Sequence, residues 1–368
     1  MIRFWDYLPI YTRHREAILE VVDRTLASGR LILGPEVELF EQRFSRLCGT
    51  SWGIGVNSCT DALFLALKAL DISAGDEVIT VANTAVPTVA AIRATGALPV
   101  FTDVVEASGL LDTTRLEGVI TPRTRCVLPV HLYGQPVDMF PLLSLAGTRN
   151  IAVIEDCAQA AGASYHGKPV GSMGTLAAFS FYPTKILGAC GDGGMVVTND
   201  ADLAARIRRL RFYGMEGDYC SYEEGFNSRL DELQAAILNL MLDSFDEMAL
   251  RRRAIADLYT TALGDLEELE LPLVKTACVH QYYSYTIRTS SRDALMQHLQ
   301  AREIESKILY PYPIHLMPAY RFLGYQAGSL PVTESLAARI LSLPIHPALT
   351  DGEVEQVVNA VRSFFRSC

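Results

Sequence analysis

The chain has 368 residues, a length that suits one large domain and a smaller one rather than a single core. Hydrophobic residues make up 49% of it and charged residues 20%, which is an ordinary globular composition. The formal net charge of −10 disfavours a nucleic-acid-binding surface. No apolar stretch reaches the length of a membrane span, and the first residues lack the apolar core of a secretion signal. We therefore expect a cytosolic protein that binds neither nucleic acid nor membrane.

The cysteines and histidines do not form the patterns of a metal site. Eight cysteines are scattered without a Cys-x-x-Cys pair, and the seven histidines show no metal-ligand spacing. Most of the cysteines are expected to be reduced, small apolar residues of the core. The sequence therefore predicts no metal.

The first predicted elements are two amphipathic helices, over residues 15–27 and 35–47. Ser28-Gly29 forms the turn between them, and Pro35 suits the first position of the second helix. From about residue 50 to 200, short apolar runs alternate with helical patterns. The predicted strands are 53–56, 77–81, 98–103, 126–132, 151–155, 177–181 and 195–198. Buried strands that alternate with helices predict an α/β domain with a largely parallel sheet.

The pattern changes after Gly225. Residues 231–256 contain no Gly or Pro and predict one long helix. Residues 281–287 alternate like a half-exposed strand, whereas the Pro-rich segment 310–318 cannot form regular structure. We therefore predict a large domain over residues 1–249 and a smaller α+β domain over residues 250–368.

Two carboxylates follow an apolar run near the middle of the chain. Residues 151–154 lead directly into Glu155 and Asp156. Open α/β sheets bind ligands at the C-terminal ends of their strands, so a carboxylate at this position can face a ligand. The other interpretation is that Asp156 only caps a following helix, and this pattern by itself leaves both open.

Lys185 follows the strand predicted at 177–181 and lies on a turn that contains Pro183. A solvated surface lysine is the ordinary interpretation. However, Ile186 and Leu187 follow at once, and apolar strands lie on both sides of the segment. A lysine held in such surroundings is a candidate amine nucleophile.

A third segment, residues 53–63, predicts a short strand, a polar turn and the start of a helix. The N–H groups of that helix start, with the hydroxyls of Ser58 and Thr60, could hold a phosphate. The same pattern is also that of an ordinary helix N-cap. Together the three segments fit one carbonyl cofactor. Such a cofactor needs a lysine for a Schiff base, a carboxylate that keeps its pyridine nitrogen protonated, and a phosphate anchor.

The combined motifs resemble those of the DegT/DnrJ/StrS aminotransferases, which are fold-type-I pyridoxal 5′-phosphate (PLP) enzymes that act on sugars. The matching segments are 32–37, 57–63, 155–159, 180–185, 191–194 and 227–236, in the order that the family has them. The resemblance implies a large domain like that of aspartate aminotransferase, with a mostly parallel central sheet. It also implies a smaller C-terminal α+β domain and a homodimer.

The resemblance also implies roles for individual residues. Lys185 would form the Schiff base with PLP, Asp156 would pair with the pyridinium, and Gln159 would lie beside the ring hydroxyl or the ring face. The residues implied to hold the phosphate are Ser58, Cys59, Thr60 and Ser180, with Asn227 reaching it from the partner subunit. The family usually has Gly at the position of Cys59. It commonly has an aromatic ring over the cofactor at the position of Ala85, so ring stacking from that side is not predicted here.

Members of this family usually move an amino group from L-glutamate to a keto-sugar attached to a nucleoside diphosphate. Their lysine serves first as the Schiff-base amine and then as the acid and base. Residues 131–135 and 310–316 resemble members that aminate C3 of dTDP-linked 3-keto-6-deoxy sugars, which favours C3. Tyr182, Arg229 and His315 are candidate substrate contacts. For Tyr182 and His315 a structural role is equally open.

Several other functions stay open at this point. C4 amination of a nucleotide-linked 4-keto sugar and amination of a cyclitol would use the same motifs. A sugar dehydratase of this fold is disfavoured, because such members replace the lysine with histidine and Lys185 is present. A PLP-binding regulator without catalysis would be supported by a DNA-binding helix-turn-helix or a basic patch, and the sequence contains neither.

Overall fold

The computed structural model describes residues 1–217 and 219–366. Its α-helices are α1 (Leu8–Ala27), α2 (Pro35–Leu47), α3 (Cys59–Ala69), α4 (Val86–Ala94), α5 (Met139–Arg149), α6 (Ala201–Leu210), α7 (Glu232–Leu242), α8 (Phe245–Leu263), α9 (Arg292–Gln300), α10 (Pro331–Arg339) and α11 (Asp351–Arg366). Its strands are β1 (Trp52–Val56), β2 (Glu77–Val81), β3 (Leu98–Thr102), β4 (Thr124–Val127), β5 (Ala152–Asp156), β6 (Ser164–Tyr165), β7 (Lys168–Pro169), β8 (Leu176–Ser180), β9 (Gly194–Thr198), β10 (Cys278–Val279), β11 (Tyr285–Arg288) and β12 (Ile340–Leu343). Among the helices of these residues, none is both long enough and apolar enough to cross a bilayer. The cytosolic location stays a prediction.

A seven-stranded sheet forms the centre of the molecule, in the order β1-β9-β8-β5-β4-β2-β3. Strands β8, β5, β4, β2 and β3 pair in parallel, and β9 runs antiparallel to both of its neighbours. All five residues of β2 are buried, as expected of a parallel strand with both faces covered. Each of the seven predicted strands overlaps one strand of this sheet, so the predicted α/β fold with a largely parallel sheet is confirmed.

The strand directions decide where the loops meet. Because β9 is antiparallel to both β1 and β8, these two strands run in the same direction as β5, β4 and β2. The C-terminal ends of all five strands therefore lie at one edge of the sheet. The segments that leave this edge are 57–60, 82–88, 128–135, 157–163 and 181–185. This edge is where open α/β sheets bind ligands.

The prediction of one continuous helix over residues 231–256 is wrong. The structure has two helices there, α7 and α8, with a turn at Asp243 and Ser244. Arg43 donates a hydrogen bond to the Asp243 carboxylate. Arg43 also donates to the Asn239 carbonyl at 2.7 Å. A side chain from α2 thus occupies a carbonyl in the last turn of α7, and the helix ends without Gly or Pro.

The C-terminal part of the chain has its own apolar core, around the antiparallel pair β11 and β12. Helix α8 contributes Met248 to a core of the central sheet region and Ile255 to this C-terminal core. The predicted domain boundary after residue 249 thus falls inside α8, and it stays a prediction. Ile2 pairs with Ile304 and also belongs to the C-terminal core. The first residues therefore pack with the C-terminal part, although we predicted them to lie in the large domain.

Candidate active site

The C-terminal edge of the central sheet opens into a cleft of about 320 Å³. It is lined by Ser58, Cys59, Thr60, Leu63, Thr84, Ala85, Pro87, Thr88, Val130, Asp156, Ala158, Gln159, Ser180, Tyr182, Thr184, Lys185, Asp192, Gly193 and Tyr283. The residues predicted to hold the phosphate, the ring and the Schiff base in one chain thus lie around a single cavity. Their roles there stay predictions.

Asp156 is the last residue of β5 and is 3% exposed. A turn follows it rather than a helix, so the alternative role as a helix cap is wrong. Thr88 donates its hydroxyl to Oδ2 at 2.8 Å, and the Ala158 N–H donates to Oδ1 at 3.1 Å. Burial raises the pKa of Asp156, although both donors and the Lys185 amine oppose that shift. These donors leave acceptor capacity on the carboxylate, which favours a protonated partner in the cleft.

A second buried hydroxyl, that of Thr84, forms a hydrogen bond with Thr88. The Oγ1 atoms of Thr84 and Thr88 lie 3.1 Å apart, and both residues are buried. Because the single hydroxyl proton of Thr88 is directed at Asp156, Thr84 is the donor to Thr88. Ala85, which follows Thr84 in the chain, also lines the cleft. The two hydroxyls therefore form a chain that ends on Asp156.

Glu155 precedes Asp156 on β5, and its side chain faces the other side of the sheet. It is fully buried and accepts a hydrogen bond from His131 Nε2 at 2.9 Å. It also accepts from three backbone N–H groups within residues 171–174. Burial alone would raise the pKa of Glu155, but the hydrogen bond to His131 and the backbone donors bring it below its ordinary value. Each oxygen of the Glu155 carboxylate thus accepts two hydrogen bonds from the protein, so the group has no acceptor left for a ligand.

His131, Glu155 and Cys157 place potential metal-binding atoms close together in the described part of the chain. The His131 ring is already engaged, because Nδ1 accepts the Val137 N–H at 3.0 Å and Nε2 donates to Glu155. Neither ring nitrogen therefore offers a lone pair to a metal. Burial holds the pKa of Cys157 well above its ordinary value, so its thiol stays protonated. We interpret the hydrogen bond between His131 and Glu155 as a contact that stabilises β5.

Lys185 lies in the loop after β8, where its N–H donates to the Tyr182 carbonyl at 2.8 Å. Ile186 and Leu187 are buried and anchor the loop. The Lys185 Nζ atom lies 4.6 Å from the centre of the Tyr283 ring, which is a cation–π distance. The amine is therefore held at the wall of the cleft rather than in open solvent.

The candidate phosphate cradle is the start of α3. Ser58 is its N-cap, and its Oγ accepts the Asp61 N–H at 3.2 Å. Cys59 and Thr60 begin the first turn, whose N–H groups and helix dipole suit an anion. A Cβ at Gly194 would lie 2.3 Å from the Ser58 carbonyl carbon, so the close approach of β9 to the cradle requires glycine.

Gln159 is held at both ends of its amide. Its Oε1 accepts the Tyr133 N–H at 2.6 Å, and its Nε2 donates to Tyr310 Oη at 2.6 Å. Because a backbone N–H can only donate, it decides which end of the amide is the oxygen. Tyr133 and Tyr310 have φ of 60° and 62°. Bulky residues rarely adopt this left-handed conformation unless the surrounding structure imposes it. One N–H of Gln159 is left to donate to a ligand.

These residues fit PLP. The buried Asp156 carboxylate, whose pKa burial raises, matches a protonated pyridine nitrogen. The start of α3 matches a phosphate, and the Lys185 amine matches an aldehyde.

Residues 12–362 match the DegT/DnrJ/EryC1/StrS aminotransferase family. The chain belongs to this family. It is 48% identical over 363 residues to the dTDP-3-amino-3,4,6-trideoxy-alpha-D-glucose transaminase of Micromonospora megalomicea subsp. nigra, with 97% of each chain covered. Membership confirms the resemblance and the predicted class of enzyme, a PLP-dependent aminotransferase.

Two solved structures have the same fold. Streptomyces venezuelae DesV in complex with a ketimine intermediate has a TM-score of 0.97 at 45% identity, covering 99% of this chain and 98% of DesV. Bacillus subtilis NtdA with bound cofactor PMP has a TM-score of 0.91 at 29% identity, covering 96% of this chain and 82% of NtdA. The fold predicted for a DegT/DnrJ/EryC1/StrS aminotransferase is therefore confirmed.

Two residues that the family resemblance implied lie outside the cleft of their own chain. Asn227 is exposed and pairs with Phe212 through an isolated β-bridge. The Arg229 guanidinium lies 5.2 Å from the centre of the Phe212 ring. Asn227 was expected to act on the partner subunit, and this expectation stays a prediction. Tyr182, by contrast, lines the cleft and is 52% exposed.

His315 needs a correction as a candidate substrate contact. It is 1% exposed, and its Nε2 lies 3.0 Å from Glu334 Oε1. Its ring packs near Phe101 and Tyr325, outside the residues that line the cleft. The Pro-rich segment folds back so that His315 points into the protein, and we leave it out of the proposed site.

Three residues of the site were not predicted as functional. Thr88 follows Pro87 at the start of α4. A hydroxyl residue at a helix start soon after a strand was a local signal from which its place in the site could have been predicted. Tyr283 contacts Lys185, and Tyr310 contacts Gln159 from 151 residues away. No local pattern connects residues so far apart in the chain.

Proposed function

We propose that the protein transfers an amino group from L-glutamate to C3 of a dTDP-linked 3-keto-6-deoxy sugar. The observation that carries the proposal is the cleft in which the Lys185 amine and the buried Asp156 carboxylate lie together. The regiochemistry is supported by the 48% identity to a transaminase named for a dTDP-3-amino sugar. The relative named for dTDP-3-amino-3,6-dideoxy-alpha-D-galactopyranose, at 43% identity, supports the same carbon.

Four features of the cleft would each have a task in this reaction: Asp156, Lys185, Gln159 and the start of α3. PLP, when bound, supplies the aldehyde that exchanges amines and the ring that withdraws electrons. Asp156 would keep the ring nitrogen protonated, because a buried carboxylate stabilises a positive partner. Lys185 Nζ carries the proton that moves during amino transfer, first as a base and then as an acid. The start of α3 would hold the phosphate, and the free N–H of Gln159 would donate to an acceptor on the ligand.

The choice of sugar is tested with a panel of acceptors. The panel contains a dTDP-linked 3-keto-6-deoxyhexose, the corresponding 4-keto sugar and a keto-cyclitol. We expect the highest kcat/KM for the 3-keto sugar, and NMR of its product should place the nitrogen on C3. Preference for the 4-keto sugar or the cyclitol would contradict the proposal. Lys185→Ala is the control that should be inactive with every acceptor.

The enzyme is distinguished from a regulator without catalysis by its first half-reaction. L-Glutamate should convert the aldehyde-form absorbance of the loaded protein into that of the amine form. Borohydride treatment before glutamate should attach the cofactor covalently to Lys185, and peptide mapping shows where the label lies. Label on Lys168 or Lys307 would contradict the assignment, and a loaded protein that no amino acid converts would be a binding protein.

We further propose that the active site is shared between two subunits of a homodimer. Asn227 is exposed and lies outside the cleft of its own chain. Nearby, Ile32 forms a bridge with Asp231, and Leu31, Ile32 and Leu39 are each about half exposed. Adjacent exposed apolar side chains are typical of a surface that another chain covers. This surface would bring Asn227 to the phosphate of the partner subunit.

Mixed dimers test the shared site. A hydrogen bond to a charged group contributes roughly 1.5–3 kcal/mol, so Asn227→Ala should weaken function about ten- to a hundred-fold at limiting cofactor. A dimer of one Lys185→Ala chain and one Asn227→Ala chain should regain one intact site if the asparagine acts across the interface. As a control, Lys185→Ala mixed with Asp156→Asn should regain none, since both residues line the cleft of one chain. No recovery in the first mixture, with subunit exchange confirmed, would defeat the model.

A further inference from the structure

The loop that carries Asn227 is fixed to the phosphate cradle of its own chain. Ser228, the next residue, is 1% exposed. Its Oγ donates to Asn57 Oδ1 at 3.2 Å and accepts the Asn57 N–H at 3.4 Å. Asn57 directly precedes Ser58, the N-cap of α3. The Ser228 hydroxyl therefore joins this loop to the residue at which the cradle begins.

The residues on either side of Ser228 pack closely against the same part of the chain. A Cβ at Gly55 would lie 2.9 Å from the Cβ of Leu230, so β1 and the loop approach each other closely. Phe226 packs edge-on against Phe64 of α3, with ring centroids 4.7 Å apart. The loop thus contacts both β1 and α3, the two elements between which the cradle lies.

The side chains of Asn227 and Ser228 point in different directions. Ser228 is buried, whereas Asn227 is exposed and pairs with Phe212 through an antiparallel bridge. Successive side chains of such extended backbone point to opposite sides. The contact that buries Ser228 against its own chain therefore directs Asn227 away from it, toward the surface that the proposed homodimer would cover.

We propose that Ser228 is a positioning residue for both phosphate sites of the homodimer. Through Asn57 it holds the start of α3 in its own chain, and through the loop it holds Asn227 for the partner subunit. This inference rests on the proposed shared active site. Ser228→Ala loses one neutral hydrogen-bonding group, so the apparent Kd for PLP should rise about two- to ten-fold at each site.

The first experiment removes PLP from the dimer and titrates it back. The absorbance of the Schiff base with Lys185 reports the filled site and needs no substrate. Ser342 is the matched control, because it is 0% exposed and its Oγ lies 2.9 Å from Thr286 Oγ1, away from the cleft. Ser342→Ala should leave the Kd unchanged even where it lowers thermal stability. Ser228→Cys keeps the side-chain volume with a weaker hydrogen-bonding group, and it should raise the Kd if Ser228→Ala folds poorly. A wild-type Kd in the Ser228 variants overturns the proposal.

Mixed dimers then show which sites Ser228 serves. In each mixture one chain carries Lys185→Ala, so the absorbance reports only the site of the other chain. With Ser228→Ala on the Lys185→Ala chain, the reporting site keeps its own cradle and receives Asn227 from an altered loop. With Ser228→Ala on the other chain, the reporting site has the altered cradle and receives Asn227 from an intact loop. Both mixtures should bind PLP two- to ten-fold more weakly than wild type mixed with Lys185→Ala. A loss in only one of them overturns the double role.

Asn227→Ala in the same two arrangements separates this inference from the shared site. It should weaken PLP binding only when it lies on the Lys185→Ala chain. If it does so while Ser228→Ala affects only the site of its own chain, the shared site stands and this inference fails. If Asn227→Ala weakens the site of its own chain instead, the shared site fails, and this inference fails with it. These titrations contain no amino donor or acceptor, so they are independent of which substrates the enzyme uses.

Discussion

The two carboxylates at the end of β5 are neighbours in sequence and opposites in environment. Glu155 is surrounded by donors, from His131 and three backbone N–H groups, and its pKa lies below the ordinary value. Asp156 receives hydrogen bonds from Thr88 and Ala158, and burial raises its pKa. The alternation of side chains along the strand puts them on different faces of the sheet. The difference supports a structural role for Glu155 and the proposed role of Asp156 as the partner of a positively charged group.

The largest expected effect is on catalysis, from Asp156→Asn. This change removes the negative charge while nearly keeping the shape of the side chain. Breaking a buried ion pair costs about 3–5 kcal/mol, so transamination should fall by about 10²- to 5 × 10³-fold although PLP still binds. Single-turnover kinetics and the cofactor spectrum measure the two quantities. Activity within a few-fold of wild type would show that another group protonates the ring.

Glu155→Gln should act on stability instead. It leaves His131 and the backbone donors without their anion, and we expect the protein to lose about 3–5 kcal/mol of unfolding free energy. The folded fraction should keep its kcat/KM within a few-fold, because Glu155 does not line the cleft. Urea denaturation and kinetics at low temperature measure both. A large loss of kcat in a stably folded Glu155→Gln variant would contradict the assignment of a structural role to Glu155 and a catalytic role to Asp156.

The pH dependence of stability should have opposite signs for the two positions in the apoprotein. The pKa of folded Glu155 is lowered, so its contribution is lost as the pH falls through that pKa. Wild type should therefore lose its advantage over Glu155→Gln in acid. The pKa of folded Asp156 is raised, so the folded state binds this proton more tightly than the unfolded chain. Wild type should gain stability relative to Asp156→Asn as the pH falls. If the stability differences of the two variants from wild type change with pH in the same direction, the comparison is contradicted.

The smallest effects are expected from the two threonines, and Thr88→Val is the larger of these because it removes one donor to Asp156. The loss of a hydrogen bond to a charged group is worth roughly 1.5–3 kcal/mol. Apparent cofactor affinity or kcat should fall about ten- to a hundred-fold, with little change in thermal stability. Thr84→Val removes only the second hydroxyl of the chain and should cost less. If Thr84→Val costs more than Thr88→Val, the direction of the hydroxyl chain is wrong.

The sheet and the core of the site could be predicted because their signals are local. Buried strands appear as apolar runs, and Asp156, Lys185 and the Ser58 turn each follow such a run. Once those strands run in the same direction, their C-terminal ends meet at one edge, so adjacency in space follows from position along each strand. The family motifs then assign chemistry to residues that the sheet already brings together.

Side-chain direction in the irregular segments was decided by tertiary packing. Tyr283 and Tyr310 reach Lys185 and Gln159 from the C-terminal part of the chain, while His315, five residues after Tyr310, turns inward to Glu334. A Pro-rich segment has no periodicity that tells which side chains face a cleft. Those directions depend on what the segment packs against, and that surface is built from residues far away in the sequence. Periodicity and motif order determined the sheet and the position of the cleft, whereas long-range packing determined that Tyr283 and Tyr310 contact Lys185 and Gln159 there.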